Sequence, residues 1–190
     1  GFTNVTKNWN WKDADQKPVQ VAVFSNGDEV ELIQNGTSVG KLTSGTRLAA
    51  ELPHSFLFDL TYLPGTLEAV SYKDGKEISR DTLVTTGPAK ELRLIQEKKE
   101  LSANGHEVAY IRVEIVDENG IVVPDAALRL SAAVEGVGSL AAFGSSNPIT
   151  DENYTSGTFT SYHGTATAII RSGYQTGMCT LTVGCEGLDE

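Results

Sequence analysis

The segment from Gly144 to Gly164, GSSNPITDENYTSGTFTSYHG, concentrates side chains that could do chemistry. Asp151, Glu152 and His163 stand among several serine and threonine hydroxyls, which are the usual materials of a hydrolase site. Hydrolysis also requires a nucleophile and a base in a workable order, together with donors that stabilise an oxyanion. The segment offers neither arrangement, so we interpret it as a loop that is not an active site.

The aromatic residues of this segment suggest a different role. At about 20 residues the loop is longer than compact domains usually tolerate without a functional reason. Tyr154, Phe159 and Tyr162 provide rigid aromatic area, and the neighbouring hydroxyl and amide groups provide hydrogen bonds. Because ordering a loop costs about 1 to 2 kcal/mol per residue, we expect mobility unless a partner covers it. We therefore predict a docking surface for a neighbouring domain or subunit.

Trp9 and Trp11 form a second aromatic candidate near the start of the chain. On an extended segment the two rings share a side and could form a flat platform for a sugar. Paired aromatic residues near a domain junction more commonly bury interface area, so packing is the favoured interpretation. A carbohydrate contact at these two residues remains the alternative.

Metal and thiol chemistry are poorly supported. The three histidines, His54, His106 and His163, lack the spacing of metal ligands and are predicted to lie on the surface. Cys179 and Cys185 lie on one predicted strand, where their Cα atoms would be about 20 Å apart, too far for a disulfide. We predict two reduced, buried thiols and no metal or other cofactor.

Charge and composition exclude several classes of partner. The formal net charge of −10 argues against nucleic acid, which requires a basic face. No run of about 18 apolar residues is present, so membrane insertion is not predicted. The chain opens on Gly1 without a methionine, which is typical of an excised piece of a longer protein and leaves its cellular compartment open.

Alternating apolar and polar residues recur along the whole chain and predict an all-β fold. In EVAYIRVEIVD, Ala109, Ile111, Val113 and Ile115 form one apolar row. The same period is found at 128–134, 165–171 and 179–185, and shorter β-rich runs fill the first half at 19–23, 29–33, 55–60, 66–72 and 76–84. No stretch shows a sustained helical period, so almost no helix is expected.

Turn residues divide these strands. Asn35-Gly36 and Asp74-Gly75 are candidates for type I′ hairpin turns, and DENG at 117–120 marks a third tight connection. Gly87-Pro88 interrupts the pattern, which restarts near Lys90. We predict two tandem immunoglobulin-like β-sandwich domains, at 1–87 and 88–190.

Several longer sequence motifs resemble those of a known family. NWNW at 8–11, VFSNGDEVELIQNGTSVG at 23–40, YLPGTLEAVSYKDGKEISRDTLVTTG at 62–87 and VEIVDENGIVVPDA at 113–126 are similar to C-terminal β-sandwich domains of glycoside hydrolase family 2, chiefly bacterial β-galactosidases. The resemblance runs over nearly the whole chain. It implies that residues 1–87 correspond to the fourth domain, which follows the catalytic barrel, and that residues 88–190 correspond to the fifth.

The resemblance also implies what the chain does not do. Family 2 enzymes are retaining glycosidases that use two glutamates at the ends of barrel strands. This chain lacks the alternating strands and helices of a barrel, so those glutamates are expected upstream. The expected role is non-catalytic support of the catalytic barrel and of domain or subunit contacts. The alternatives are a carbohydrate-binding module, or modules of a surface adhesin, whose immunoglobulin-like repeats the second half also resembles.

Overall fold

A computed structural model describes residues 5–11, 13–43 and 54–188 of the 190-residue chain. The chain divides into two compact units, Gly1–Thr85 and Thr86–Glu190. This division falls two residues before the boundary chosen from the sequence. Within the described residues every regular element is a β-strand, which confirms the all-β prediction.

The first unit contains six strands in two antiparallel sheets. They are β1 (Pro18–Phe24), β2 (Glu29–Gln34), β3 (Thr37–Thr43), β4 (Ser55–Thr61), β5 (Thr66–Lys73) and β6 (Lys76–Val84). One sheet has the order β1-β4 and the other the order β3-β2-β5-β6. Val30 and Leu32 of the larger sheet and Phe56 and Phe58 of the smaller one are buried in a shared core, which makes this unit a sandwich.

The second unit contains seven strands in two antiparallel sheets. They are β7 (Glu91–Gln96), β8 (Val108–Val116), β9 (Arg129–Gly136), β10 (Gly138–Gly144), β11 (Thr158–Thr160), β12 (Thr165–Ser172) and β13 (Cys179–Cys185). The sheet orders are β10-β12-β8-β7 and β11-β9-β13. The predicted row on β8 is buried against Leu130 of the facing sheet, which confirms both the register and the sandwich.

The hairpin turns follow the residue types that require positive φ. Asn35 and Gly36 have φ of 49° and 78°, and Asp74 and Gly75 have φ of 50° and 74°, as type I′ turns demand. A third turn of this kind was not predicted. His163 and Gly164, with φ of 51° and 69°, join the bridge between Tyr162 and Thr165.

The segment at 144–164 is not one continuous loop, as the sequence had suggested. Its last third contains β11, which pairs with β9 so that Phe159 lies opposite Leu130. Phe159 is fully buried in the core of the second unit. The prediction that Phe159 is an exposed docking residue is therefore wrong, because its ring fills the space between the two sheets.

Candidate functional site

Trp9 is a core residue of the first unit. Its side chain is only 3% exposed, and its ring packs edge-on against Tyr62 with a centroid separation of 4.8 Å. The Tyr62 hydroxyl and the Thr85 hydroxyl both donate to the Trp9 carbonyl, at 3.0 and 2.8 Å. These bonds hold the N-terminal segment against the residues that follow β4 and β6. Trp9 is therefore packed, as the favoured interpretation states.

Trp11 lies differently from Trp9. Its side chain is 43% exposed, so the two rings do not form one exposed platform. Both nevertheless line a cavity of about 760 Å³ in the first unit. Aliphatic side chains of β1, β5 and β6 form part of its wall, and the Lys7–Asp81 ion pair, at 2.8 Å, lies beside it. Trp9 Nε1 is buried and has no hydrogen-bond acceptor among the described residues.

Tyr154 packs on the second unit's own core. Its ring centroid lies 4.7 Å from that of Phe159, and it covers Gly144, where an added Cβ would meet the Tyr154 ring at 2.2 Å. The side chain is still 45% exposed. Tyr154 thus presents one face to solvent while the other shields the end of β10.

Glu152 orders the segment that carries Tyr154. Its carboxylate forms an ion pair with Arg129 of β9 and accepts hydrogen bonds from the backbone N–H and the hydroxyl of Thr160, the hydroxyl at 3.0 Å. Asn153 and Ser156 add local bonds that close the turn leading into β11. The segment is therefore held by contacts within its own unit, which offset the entropic cost that we had assigned to an outside partner.

Tyr162 stands at the edge of the four-stranded sheet. It bridges to Thr165, Thr165 pairs with Glu114 of β8, and Glu114 pairs with Arg93 of β7. Because directly paired residues of antiparallel strands point to the same side, these four side chains form a row on the outer face. The Tyr162 ring is half-buried and packs against His163 at 4.1 Å.

Glu114 is a buried carboxylate that sequence analysis did not identify as important. Its side chain is 7% exposed although its position faces outward. Arg93 donates to Oε2 through Nη2 at 2.6 Å and through Nε at 2.9 Å, and Arg112 Nε lies 3.0 Å from Oε1. The only signal in the sequence was the Arg-x-Glu alternation, which also describes an ordinary solvent-exposed strand face.

Asp117 is the other buried carboxylate of the second unit. Its Oδ1 accepts the backbone N–H groups of Asn119 and Ile121, and its Oδ2 accepts that of Gly87, each at 2.9 Å. Burial would raise the pKa of Asp117, but the bonds from Ile121, Gly87 and Asn119 outweigh it and hold the pKa below its usual value. The DENG motif is therefore a carboxylate-organised turn, which is a structural role.

The cysteine prediction is half correct. Both thiols are free, but Cys179 is exposed and Cys185 is only partly buried. On β13 the buried residue is Val183, and exposure increases toward the start of the strand. Cys179 fails to be buried because it lies at the strand end, beyond the side chains that cover the core. Burial, with a smaller effect of nearby Glu186, raises the pKa of the Cys185 thiol.

The described residues contain no cluster of three or more histidine, cysteine or carboxylate side chains that could hold a metal ion. All three histidines are exposed, as predicted. No helix long and apolar enough to cross a membrane is found in the part of the chain that the structure describes.

Comparison with protein families places these features in context. Residues 92–190 match the model described as glycoside hydrolase family 2 C-terminal domain 5. This match covers more than half of the chain. The chain belongs to glycoside hydrolase family 2. Residues 16–79 match a second model, a domain of unknown function called DUF4982.

Two curated relatives align with most of the chain. A β-galactosidase of Bacteroides ovatus is 28% identical over 180 residues, which are 95% of this chain and 20% of that protein. A β-galactosidase of Thermoanaerobacter pseudethanolicus is 33% identical over 144 residues, 70% of this chain and 19% of that protein. The chain therefore spans about a fifth of the length of the curated relatives it matches.

Solved structures agree with the family assignment. A family 2 member from Bacteroides cellulosilyticus superposes with a TM-score of 0.92 at 30% identity, covering 99% of this chain and 24% of that one. A β-glycosidase from Bacteroides vulgatus gives 0.85 at 27% identity, covering 96% and 23%. The resemblance found in the sequence words is confirmed, and this family 2 chain corresponds to a C-terminal part of its relatives.

Proposed function

We propose that this chain is a non-catalytic accessory region of a family 2 glycoside hydrolase with a β-galactosidase-type parent. Its role is to support the catalytic barrel through contacts with other domains or subunits of that enzyme. The description C-terminal domain 5, which the family model carries over residues 92–190, supports the proposal that the second half is the fifth domain.

The observation that carries this proposal is that the two buried carboxylates of the second unit, Glu114 and Asp117, are both engaged in structural contacts. A retaining glycosidase needs two carboxyl groups about 5 to 5.5 Å apart, one of them an acid with a raised pKa. Glu114 is neutralised by two arginines, and Asp117 is saturated by backbone N–H groups that lower its pKa. Neither is free to protonate a leaving group, so both are explained by folding alone.

The names of the relatives support the choice of parent. The B. ovatus and T. pseudethanolicus relatives are β-galactosidases, and each is about five times longer than the matched region. A family 2 chain whose described residues form only β-strands is best explained as the accessory part of such an enzyme.

The experiment is a hydrolysis assay on the purified 190-residue chain. p-Nitrophenyl β-galactoside and β-glucuronide are the substrates, and the full-length parent is the positive control. We expect no turnover above that of a chain denatured before the assay. Turnover that co-purifies with the chain and disappears in Glu114→Gln would contradict the proposal.

The cavity of the first unit favours one second candidate, carbohydrate binding. Its volume is within the range of ligand pockets, and the exposed Trp11 ring offers a stacking surface. Titration of the isolated chain with galacto-oligosaccharides, followed by tryptophan fluorescence, tests this function. Saturable quenching that Trp11→Ala abolishes would support it, and an unchanged spectrum would reject it.

A further inference from the structure

The outer face of the four-stranded sheet in the second unit has an unusual composition. We call it the arginine face and define it by Arg93, Tyr110, Arg112, Glu114, Ile169 and Arg171. Strand register places these residues on one side: Arg93 pairs with Glu114, Ile169 with Tyr110, and the remaining members alternate with them along β8 and β12. Gly144 pairs with Thr167 and Ala142 with Ile169, so the β10 side of the face is low and flat.

Arginine is concentrated on this face. Three of the six arginines in the chain lie on it, whereas its four strands contain no lysine. At the centre of the arginine face, Tyr110 is 56% exposed and Ile169 is partly exposed. Interface cores are enriched in tyrosine and arginine and depleted in lysine and glutamate, and those two enriched types also dominate binding hot spots. The composition is that of a protein contact rather than of an ordinary solvated sheet.

Two of the three arginines, Arg93 and Arg112, are held in place by Glu114 before any partner binds. Glu114 fixes Arg93, whose Nη1 also donates to the Gly120 carbonyl at 2.9 Å. Glu114 also pairs with Arg112, whose Nε lies 3.0 Å from Oε1, and no hydrogen bond from the terminal nitrogens of that guanidinium is found among the described residues. Arg171 has no carboxylate partner among the described residues. Two exposed forks therefore remain available for carboxylates.

The charge balance favours an acidic partner. The chain carries 25 acidic and 15 basic side chains, so a positive face is a local exception. Glu91 and Glu114 are the two carboxylates at outward positions of these strands, so three guanidinium groups stand against two carboxylates and the face keeps one excess positive charge. Aliphatic area beside the guanidinium groups suits a protein surface, which presents carboxylates and apolar side chains together, better than it suits a polysaccharide.

We propose that the arginine face docks an acidic protein surface belonging to another domain of the parent enzyme, with Tyr110 and Arg112 central to the contact. This proposal rests on the supporting role proposed above and specifies the surface that performs it. Tyr162, predicted from the sequence as a docking residue, stands in the outermost row of the same face, whereas Tyr154 and Phe159 lie elsewhere.

The test uses the full-length parent with the photo-crosslinking residue p-benzoylphenylalanine in place of Tyr110. Mass spectrometry then identifies the crosslinked peptide, with and without Arg112→Glu or Arg171→Glu. Arg129→Glu is the matched control, because Arg129 and Arg112 are both 59% exposed and each pairs with a glutamate, but Arg129 lies on β9 of the other sheet. Circular dichroism of each variant confirms that it is folded, and Arg112→Gln serves as a milder second variant.

We expect a crosslink to a peptide outside residues 86–190 that contains aspartate or glutamate. The two charge reversals should lower its yield about tenfold or more, since like charges in a contact cost several kcal/mol, and the control should not. Crosslinks confined to residues 86–190, or to the same face of a second copy, would overturn the proposal. Retardation of the isolated chain by polygalacturonate that Arg112→Gln abolishes would overturn it in favour of an anionic glycan.

Failure of this inference is distinguishable from failure of the proposed function. If deleting residues 1–190 from the parent leaves its thermal stability unchanged, the supporting role fails. If the deletion lowers stability but the two charge reversals behave like Arg129→Glu, only the arginine face is wrong.

Discussion

At the residue scale, the second unit shows how a carboxylate can be buried for structural reasons alone. Glu114 and Asp117 are three positions apart, and the buried charge of each is stabilised differently. Glu114 contacts two guanidinium groups, whereas Asp117 accepts three backbone N–H groups. Sequence patterns do not distinguish these residues from exposed neighbours such as Glu118. Their burial depends on strands and turns that come from distant parts of the chain.

Replacement of Asp117 by alanine should destabilise the second unit by about 2 to 4 kcal/mol, because it leaves buried N–H donors without an acceptor. Urea unfolding of the isolated chain measures this difference. Glu118→Ala, in the same turn but exposed, is the control and should change stability by less than about 0.5 kcal/mol. Equal effects of the two substitutions would mean that the turn does not depend on the carboxylate.

The pH dependence of the Asp117 effect follows from its lowered pKa. A carboxyl group whose folded pKa is depressed contributes stability above its unfolded value, near 3.8, and loses that contribution as the pH falls further. The stability gap between the wild type and Asp117→Ala should therefore be constant at neutral pH and narrow below about 3.8. A stability difference between the two proteins that widens on acidification would contradict a lowered pKa of Asp117.

Glu107 offers a direct measurement of a shifted pKa. The Lys98 ammonium, followed by the backbone N–H of Ser102, lowers the pKa of Glu107 from 4.5 to about 2. A carbon-detected NMR titration of the side-chain carboxyl should show this midpoint. Lys98→Gln should move the midpoint up toward 4.5, whereas Lys99→Gln, at the neighbouring position, should leave it in place.

The two cysteines should react at different rates with a thiol reagent in native buffer. Cys179 is exposed, whereas Cys185 is partly buried and its pKa is raised, so it has less thiolate at pH 8. We expect one fast and one slow labelling phase, with the fast phase missing in Cys179→Ser. Two equally slow phases would restore the earlier prediction that both thiols are buried.

At the element scale, the strands and two of the hairpins could be predicted because their signals are local. Alternation over seven or more residues gives the register of β8 and β12, and Asn-Gly or Asp-Gly requires a positive-φ turn. The three-residue strand β11 could not be found this way, because Phe159 is its only apolar residue. Its identity depends on pairing with β9, which no local pattern records.

In the unpredicted turn at His163-Gly164, replacing Gly164 by alanine should destabilise the second unit more than replacing Gly120 by alanine does. Gly164 and Gly120 have similar φ, 69° and 72°, so alanine strains the backbone at both by about 1 to 2 kcal/mol. At Gly164 the added Cβ would also meet the Val123 carbonyl oxygen at 2.3 Å, whereas at Gly120 the nearest atom is 3.5 Å away. Urea unfolding should therefore show a larger loss for Gly164→Ala, and equal losses would contradict this packing.

At the scale of the whole molecule, the structure departs from the sequence prediction more for the candidate docking residues than for the fold. The sandwiches follow from alternation, but the docking residues were chosen by aromatic type, and burial separated them. Trp9 and Phe159 lie in the two cores, and Tyr154 packs over Gly144. Tyr162 lies in the outer row that contains Glu114. Residue type alone does not reveal which aromatic side chains a sandwich covers, since that depends on which strands face each other.

Thermal inactivation of the parent enzyme, with and without residues 1–190, tests the central claim most directly. Before heating, the truncated enzyme should retain a kcat per folded active site close to that of the full-length enzyme, because the role proposed for this chain is not catalytic. On heating, it should lose activity at a clearly lower temperature, because the supporting contacts are gone. A truncated enzyme that is cold-inactive though folded, or one that survives heating as well as the full-length enzyme, would contradict the account.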